Sequence, residues 1–144
     1  MTEPEVCIFC RIIRGEVPAS FVYESEVWVG FMDLRQQPYG HVVIVPRHHI
    51  RNIFDLDDET GTTLTPALRR VALAVRDAFI AEGISIVQAN EPPWQEVFHL
   101  HFHVYPRYVD VPLLRTYPSH FALPSREELE RQAALIREAL AGVS

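Results

Sequence analysis

The residues best equipped for chemistry in this sequence are three histidines in the run Gln95-Glu96-Val97-Phe98-His99-Leu100-His101-Phe102-His103-Val104-Tyr105-Pro106. If the run is a strand, alternation places His99, His101 and His103 on one face at roughly 6 to 7 Å intervals, with Leu100, Phe102 and Val104 on the other. Imidazole titrates near neutrality, so such a row can hold a neutral, nucleophilic ring beside a proton-bearing neighbour. The duller readings are a surface strand that happens to carry histidine, or a metal-binding strip. A single histidine would favour them; three in strict alternation against an apolar face favour a reactive site. A second feature is the pair Cys7 and Cys10, whose two-residue spacing suits a zinc knuckle, a redox pair or two buried thiols.

Around these residues the pattern predicts short elements. Cys7 to Arg14 suits a brief helix ended by Gly15 and Pro18. Phe21 to Glu24 and Val27 to Met32 read as a hairpin, with Phe31 and Asp33 projecting the same way. His41 to Pro46 is apolar on both faces, as in a buried strand. Leu64, Leu68, Val71, Val75 and Phe79 predict one long helix within 55–82, with Gly83 after its end. Ser85 to Ala89 and Phe98 to Pro106 read as two further strands. Ser125 and Glu128 form a capping box opening a C-terminal helix. The sum is an α+β domain with a sheet of about five antiparallel strands, one long helix and a C-terminal helix.

A chain of 144 residues fits a single domain, and one of that size buries roughly 70% of its surface. There is no apolar run near the roughly 18 residues a bilayer-spanning helix needs, and no basic stretch followed by an apolar one at the N-terminus. The formal net charge of −6 gives no electrostatic reason to bind nucleic acid or an anionic membrane. A cytoplasmic protein without nucleic-acid or membrane partners is expected.

His99-Leu100-His101-Phe102-His103-Val104-Tyr105 resembles the signature of the histidine-triad (HIT) family. The resemblance extends to Ile8-Phe9-Cys10 through Pro18, to Phe31-Met32-Asp33 and to Gly40-His41 through Pro46. It covers residues 1–108, leaving 109–144 as an extension that resembles bacterial members and the dinucleoside polyphosphate hydrolases. It implies a HIT-like fold and a hydrolase or transferase that attacks the α-phosphate of a dinucleoside polyphosphate or a nucleoside phosphoramidate. By resemblance, His101 forms a nucleotidyl-histidine intermediate, while His103, His41 and Gln95 contact the phosphate. Asp33 would hold the ribose hydroxyls, Val17, Phe31 and Leu34 would sandwich a purine base, and Asn90 would lie near the leaving group. Val17, Phe31 and Leu34 also fit a plain core, and Asp33 a turn. The likeness to zinc-containing bacterial members implies a structural zinc held by Cys7, Cys10, His49 and His99, with His48 the competing neighbour. A homodimer is implied as well.

One stretch departs from the family pattern. Before the triad, members read approximately Gly-Gln-Ser/Thr; here Trp94 stands in place of the glycine and Glu96 in place of the hydroxyl residue, in a segment one or two residues shorter. The glycine admits backbone close to a phosphate and the hydroxyl donates to it. A carboxylate about 4 Å from a phosphate charge opposes binding by on the order of 1 kcal/mol in water. A nucleotide-binding protein with weak or no catalysis is therefore the alternative expectation, and a zinc-stabilised interaction protein with a vestigial pocket is a third.

Overall fold

A computed structural model describes residues 4–36, 38–112 and 122–143. The first helix, α1, spans Ile8–Ile13, with the Cys7 sulfur accepting from the Cys10 N–H at its start. Strands β1 (Phe21–Glu24) and β2 (Trp28–Met32) form the expected hairpin, held by Ser25 Oγ, which accepts from the Trp28 N–H at 2.9 Å. Strand β3 is Val42–Pro46.

The single long helix expected within 55–82 is divided. A short helix α2 (Asp58–Thr62), capped by Asp57, is followed by α3 (Leu64–Phe79). The residues explain the break: Thr63 Oγ1 donates back to the Thr60 carbonyl and accepts from the Trp28 indole, and apolar periodicity begins only at Leu64. Helix α3 closes on Ile80 in the left-handed conformation, and Gly83 opens β4 (Gly83–Val87), two residues earlier than expected. Strand β5 is Phe102–Arg107 and α4 is Arg126–Leu140. Of the capping box in α4, Ser125 accepts from the Glu128 N–H, while the Glu128 carboxylate accepts from Tyr39 and Arg131.

The five strands form one antiparallel sheet in the order β1-β2-β3-β5-β4. Strands β2 and β3 are buried along their whole length, and alternation divides their side chains between two layers. Trp28, Met32, Val42 and Ile44 pack with Val71, Val75, Leu129 and Ile136 of α3 and α4. Val29, Phe31, Val43 and Val45 face the other way and pack with Ile12. Leu100, Phe102 and Val104 join the α3/α4 layer, so their alternating neighbours project onto the α1 side.

The strand carrying the histidines starts later than expected, at Phe102 and not Phe98. The ladder with β3 ends at the pair Ile44 and Phe102. Two residues on, Pro46 has no N–H to offer, and its carbonyl accepts from the His99 ring at 2.8 Å. His103 therefore lies in β5, while His99 and His101 precede it with their alternation preserved by burial of Leu100 and Phe102. No helix among the described residues is long and apolar enough to cross a membrane.

Candidate functional site

On the α1 side of the sheet, His41, His101 and His103 line a cavity of about 270 Å3. Gln36 positions His41: its side chain donates to the carbonyls of Asp33 and His41 and accepts from the N–H groups of Gly40 and His41. The rings are packed against one another. His41 stacks on Tyr105 with centroids 4.1 Å apart, the His101 and His103 centroids are 4.9 Å apart, and Phe9 meets His101 edge-on at 5.1 Å.

Hydrogen-bond partners assign the tautomers of these rings when neutral, because a carbonyl only accepts. His41 Nδ1 lies 3.0 Å from the Arg35 carbonyl and must donate to it. Its Nε2 then accepts from His103 Nδ1 at 2.9 Å, which leaves His103 Nε2 with a lone pair. His101 Nδ1 donates to the His99 carbonyl at 2.8 Å, which leaves His101 Nε2 with a lone pair as well. Burial lowers the proton affinity of all three rings. It outweighs the opposing pull of Asp33 on His41, lowers His101, and with the neighbouring His41 and His101 pushes His103 down to about 2. The unliganded cavity therefore presents two neutral imidazole acceptors side by side.

Val17, Phe31, Asp33 and Leu34 line the same cavity. Asp33 accepts from the Arg35 N–H at 2.8 Å and lies 3.8 Å from His41 Nε2. Gln95 and Asn90 do not line it. Gln95 is 2% exposed; its amide donates to the Arg51 and Val97 carbonyls and its oxygen accepts from the Glu91 N–H. Asn90 accepts from the Ile53 N–H and exchanges hydrogen bonds with Gln88. The shortened segment thus turns Gln95 inward as a loop brace and brings Trp94, Glu96 and Val97 to the cavity wall. Phe9, Arg35, Tyr105 and Arg126 also line it and were not among the expected site residues. Arg126 comes from α4, and only tertiary packing brings it there.

Next to the cavity, Cys7, Cys10, His49 and His99 gather four ligand atoms within 4.8 Å of one another. Cys7 Sγ lies 3.4 Å and Cys10 Sγ 3.5 Å from His99 Nδ1, and Cys10 Sγ lies 3.3 Å from His49 Nδ1. A tetrahedral zinc with two sulfur and two nitrogen ligands sets such edges at about 3.5 Å, so the donor set fits that ion. The His99 ring donates from Nε2 to the Pro46 carbonyl at 2.8 Å, which presents the Nδ1 lone pair to the thiols as metal-ligating histidines require. Burial and the adjacent Cys7 push the Cys10 thiol up to about 12. His48 is exposed and stands outside the cluster.

Known proteins resemble the chain in both sequence and fold. The HIT domain profile matches residues 14–110, and the chain belongs to the HIT family. It is 40% identical over 105 residues to Protein hit of Bacillus subtilis, spanning 72% of each chain. It is 33% identical over 102 residues to the adenosine 5′-monophosphoramidase HNT1 of Saccharomyces cerevisiae, spanning 70% of this chain and 62% of that one. A Hit-like protein of Bartonella henselae superposes with a TM-score of 0.85 at 37% identity, covering 96% of this chain and 99% of that one. A zinc-bound histidine triad family protein of Mycobacterium smegmatis superposes with a TM-score of 0.80 at 30% identity, covering 97% and 96%.

Proposed function

We propose that this protein hydrolyses nucleoside phosphoramidates or dinucleoside polyphosphates at the α-phosphorus, with His101 as nucleophile. The observation that carries this reading is the hydrogen bond from His101 Nδ1 to the His99 carbonyl. It holds a neutral, lone-pair-bearing Nε2 on a ring that lines a cavity with one apolar wall suited to a base and one carboxylate, Asp33, suited to ribose hydroxyls. In the first step His101 Nε2 bonds to phosphorus, and the bond from phosphorus to the leaving nitrogen or oxygen breaks with its electron pair. The anionic phosphate raises the proton affinity of the adjacent rings. His103 therefore carries a proton in the complex and gives it to the leaving atom. In the second step water attacks phosphorus, His103 takes its proton, and His101 is released with the nucleoside monophosphate. The adenosine 5′-monophosphoramidase activity in the name of the yeast relative supports the phosphoramidate class.

Cys7, Cys10, His49 and His99 would hold a zinc ion that ties the segment before α1 to the triad, as the zinc-bound relative supports. Bound there, zinc supplies structural cross-linking. A homodimer in the cytoplasm accords with family resemblance. Light scattering of the purified protein tests the dimer.

The reaction is tested with a panel of adenosine phosphoramidates and diadenosine polyphosphates followed by phosphorus NMR. Turnover lost in His101→Ala, with a nucleotidyl-His101 adduct trapped in alkali-quenched wild type, is expected; no product from any substrate refutes it. The internal bonds of Gln95 and the carboxylate of Glu96 favour one alternative, a nucleotide binder without efficient catalysis. Calorimetry would then show AMP binding with no turnover.

A further inference from the structure

Two charged side chains and one aromatic side chain on the cavity wall have no part in the reaction just described. Arg35 follows β2, and Glu96 and Trp94 precede β5; all three line the cavity. Glu96 Oε2 lies 3.4 Å from both Nη1 and Nη2 of Arg35, and Arg35 Nε lies 3.8 Å from Asp33 Oδ1. The Glu96 and Arg35 side chains are 65% and 39% exposed, so their ion pair spans two loops at the cavity entrance, in contact with solvent. Such a pair is weak and exchanges readily.

An incoming phosphate changes the balance of this pair. Guanidinium binds a phosphate in the same forked geometry it offers a carboxylate, so a phosphate seated on the histidines competes with Glu96 for Arg35. The displaced carboxylate then stands on the wall it shares with Trp94. Both charges share the cavity with the nucleophile's ring. A group that departs from phosphorus within this cavity therefore lies in the field of that carboxylate. Trp94, the aromatic side chain with the strongest cation–π attraction, adds to the preference for positive charge.

Resting on the hydrolase reading above, we propose that Glu96, with Trp94, selects the leaving group by charge. Phosphoramidates whose departing amine carries a second, cationic group are the preferred substrates, and dinucleoside polyphosphates, whose leaving group is a polyanion, are disfavoured. The chemistry at phosphorus is unchanged: the P–N bond breaks, and the departing nitrogen leaves with its electron pair and takes one proton.

Three adenosine 5′-phosphoramidates of matched length test this, made from 1,4-diaminobutane, butylamine and 4-aminobutyrate. Their leaving groups are cationic, neutral and anionic. One unit of charge near a solvent-washed carboxylate is worth about fivefold in kcat/KM. The cationic compound should therefore exceed the anionic one by roughly 25-fold. Glu96→Gln should collapse that ratio to within about twofold, and Glu96→Lys should invert it. The ratio is read within one protein preparation, so loss of folded enzyme cancels. Turnover with no dependence on leaving-group charge, or a dependence that survives in Glu96→Gln, overturns the proposal and leaves the hydrolase reading standing. No His101-dependent turnover of any of the three overturns both.

Discussion

His103 should make the protein measurably less stable in mild acid, and its replacement should remove that component. Burial, with His41 and His101 beside it, pushes this ring down to about 2, whereas a histidine in the unfolded chain titrates near 6.5. Below that value the unfolded state binds a proton that the folded state refuses. Stability is then complete above about pH 6.5 and falls as pH drops, by about 1.4 kcal/mol per unit for one ring. Taking the protein to about pH 5 therefore removes about 2 kcal/mol through His103 alone, a drop in Tm of roughly 4 to 8 °C for a domain of this size. His41, His99 and His101 carry the same sign, so the wild-type loss by itself does not isolate His103. The comparison is with His103→Asn, whose amide still offers a donor to His41 Nε2. The lowering of His41 comes first from its burial and survives the replacement. Urea unfolding of both proteins at roughly pH 7.5 and pH 5 should show the wild type losing about 2 kcal/mol more than the variant. Equal losses, or a greater loss in the variant, would refute the argument from burial.

Three further outcomes follow from other parts of the site. Because burial lowers the proton affinity of His101, kcat/KM for a phosphoramidate with a neutral leaving group should show no loss as pH falls through about 6.5, the free histidine value; an acidic limb with its midpoint there or higher contradicts this. Cys10→Ser should lower the zinc content of the purified protein, by mass spectrometry of the metal, from one equivalent per chain to a small fraction, and retention of a full equivalent counts against the proposed ligand set. Gly40 adopts a φ of +97°, and a Cβ there would meet Phe79 Cδ2 at 2.7 Å. Gly40→Ala should therefore lose about 2 kcal/mol or more in chemical denaturation, and an unchanged midpoint argues that the loop moves freely.

The sequence was most informative where period-two and helical spacing coincide with burial. Residues 21–24, 28–32 and 42–46 were legible because their apolar runs are bounded by turn residues, and α4 because Ser125 caps it. The division of the long helix was not legible, since it depends on Thr63 linking the Trp28 indole to the Thr60 carbonyl, a contact between residues far apart in the chain. The late start of β5 has the same character: it depends on Pro46 and the ring of His99 meeting across two strands. Within the site, His41, His101, His103 and Asp33 converge on the cavity because alternation and the β2–β3 loop aim them there. Gln95, expected at the phosphate by resemblance, does not line the cavity, and resemblance in sequence carries no information about how a shortened loop turns its side chains. Glu91 adopts a positive φ and its carboxylate accepts from Arg51 at 2.7 Å, so the loop closes on Gln95 and turns its amide inward.

His99 joins the two clusters through different atoms. Its ring places Nδ1 against the thiols of Cys7 and Cys10 and Nε2 against the Pro46 carbonyl, while its own carbonyl accepts from His101 Nδ1. The ring is 0% exposed and fixed at both nitrogens, so the peptide plane beyond it has little freedom to rotate. That plane sets the direction from which His101 is held, and with it which nitrogen of His101 keeps the lone pair. In the proposed reaction, loosening the cysteine cluster should therefore slow chemistry before it abolishes nucleotide binding. His101 would still line the cavity but would lose the carbonyl that selects its tautomer, and the wrong tautomer presents an N–H to phosphorus. The prediction for Cys10→Ser is thus a fall in kcat larger than any rise in KM for the same phosphoramidate. A rise in KM alone would show that the cluster shapes the pocket without orienting the nucleophile.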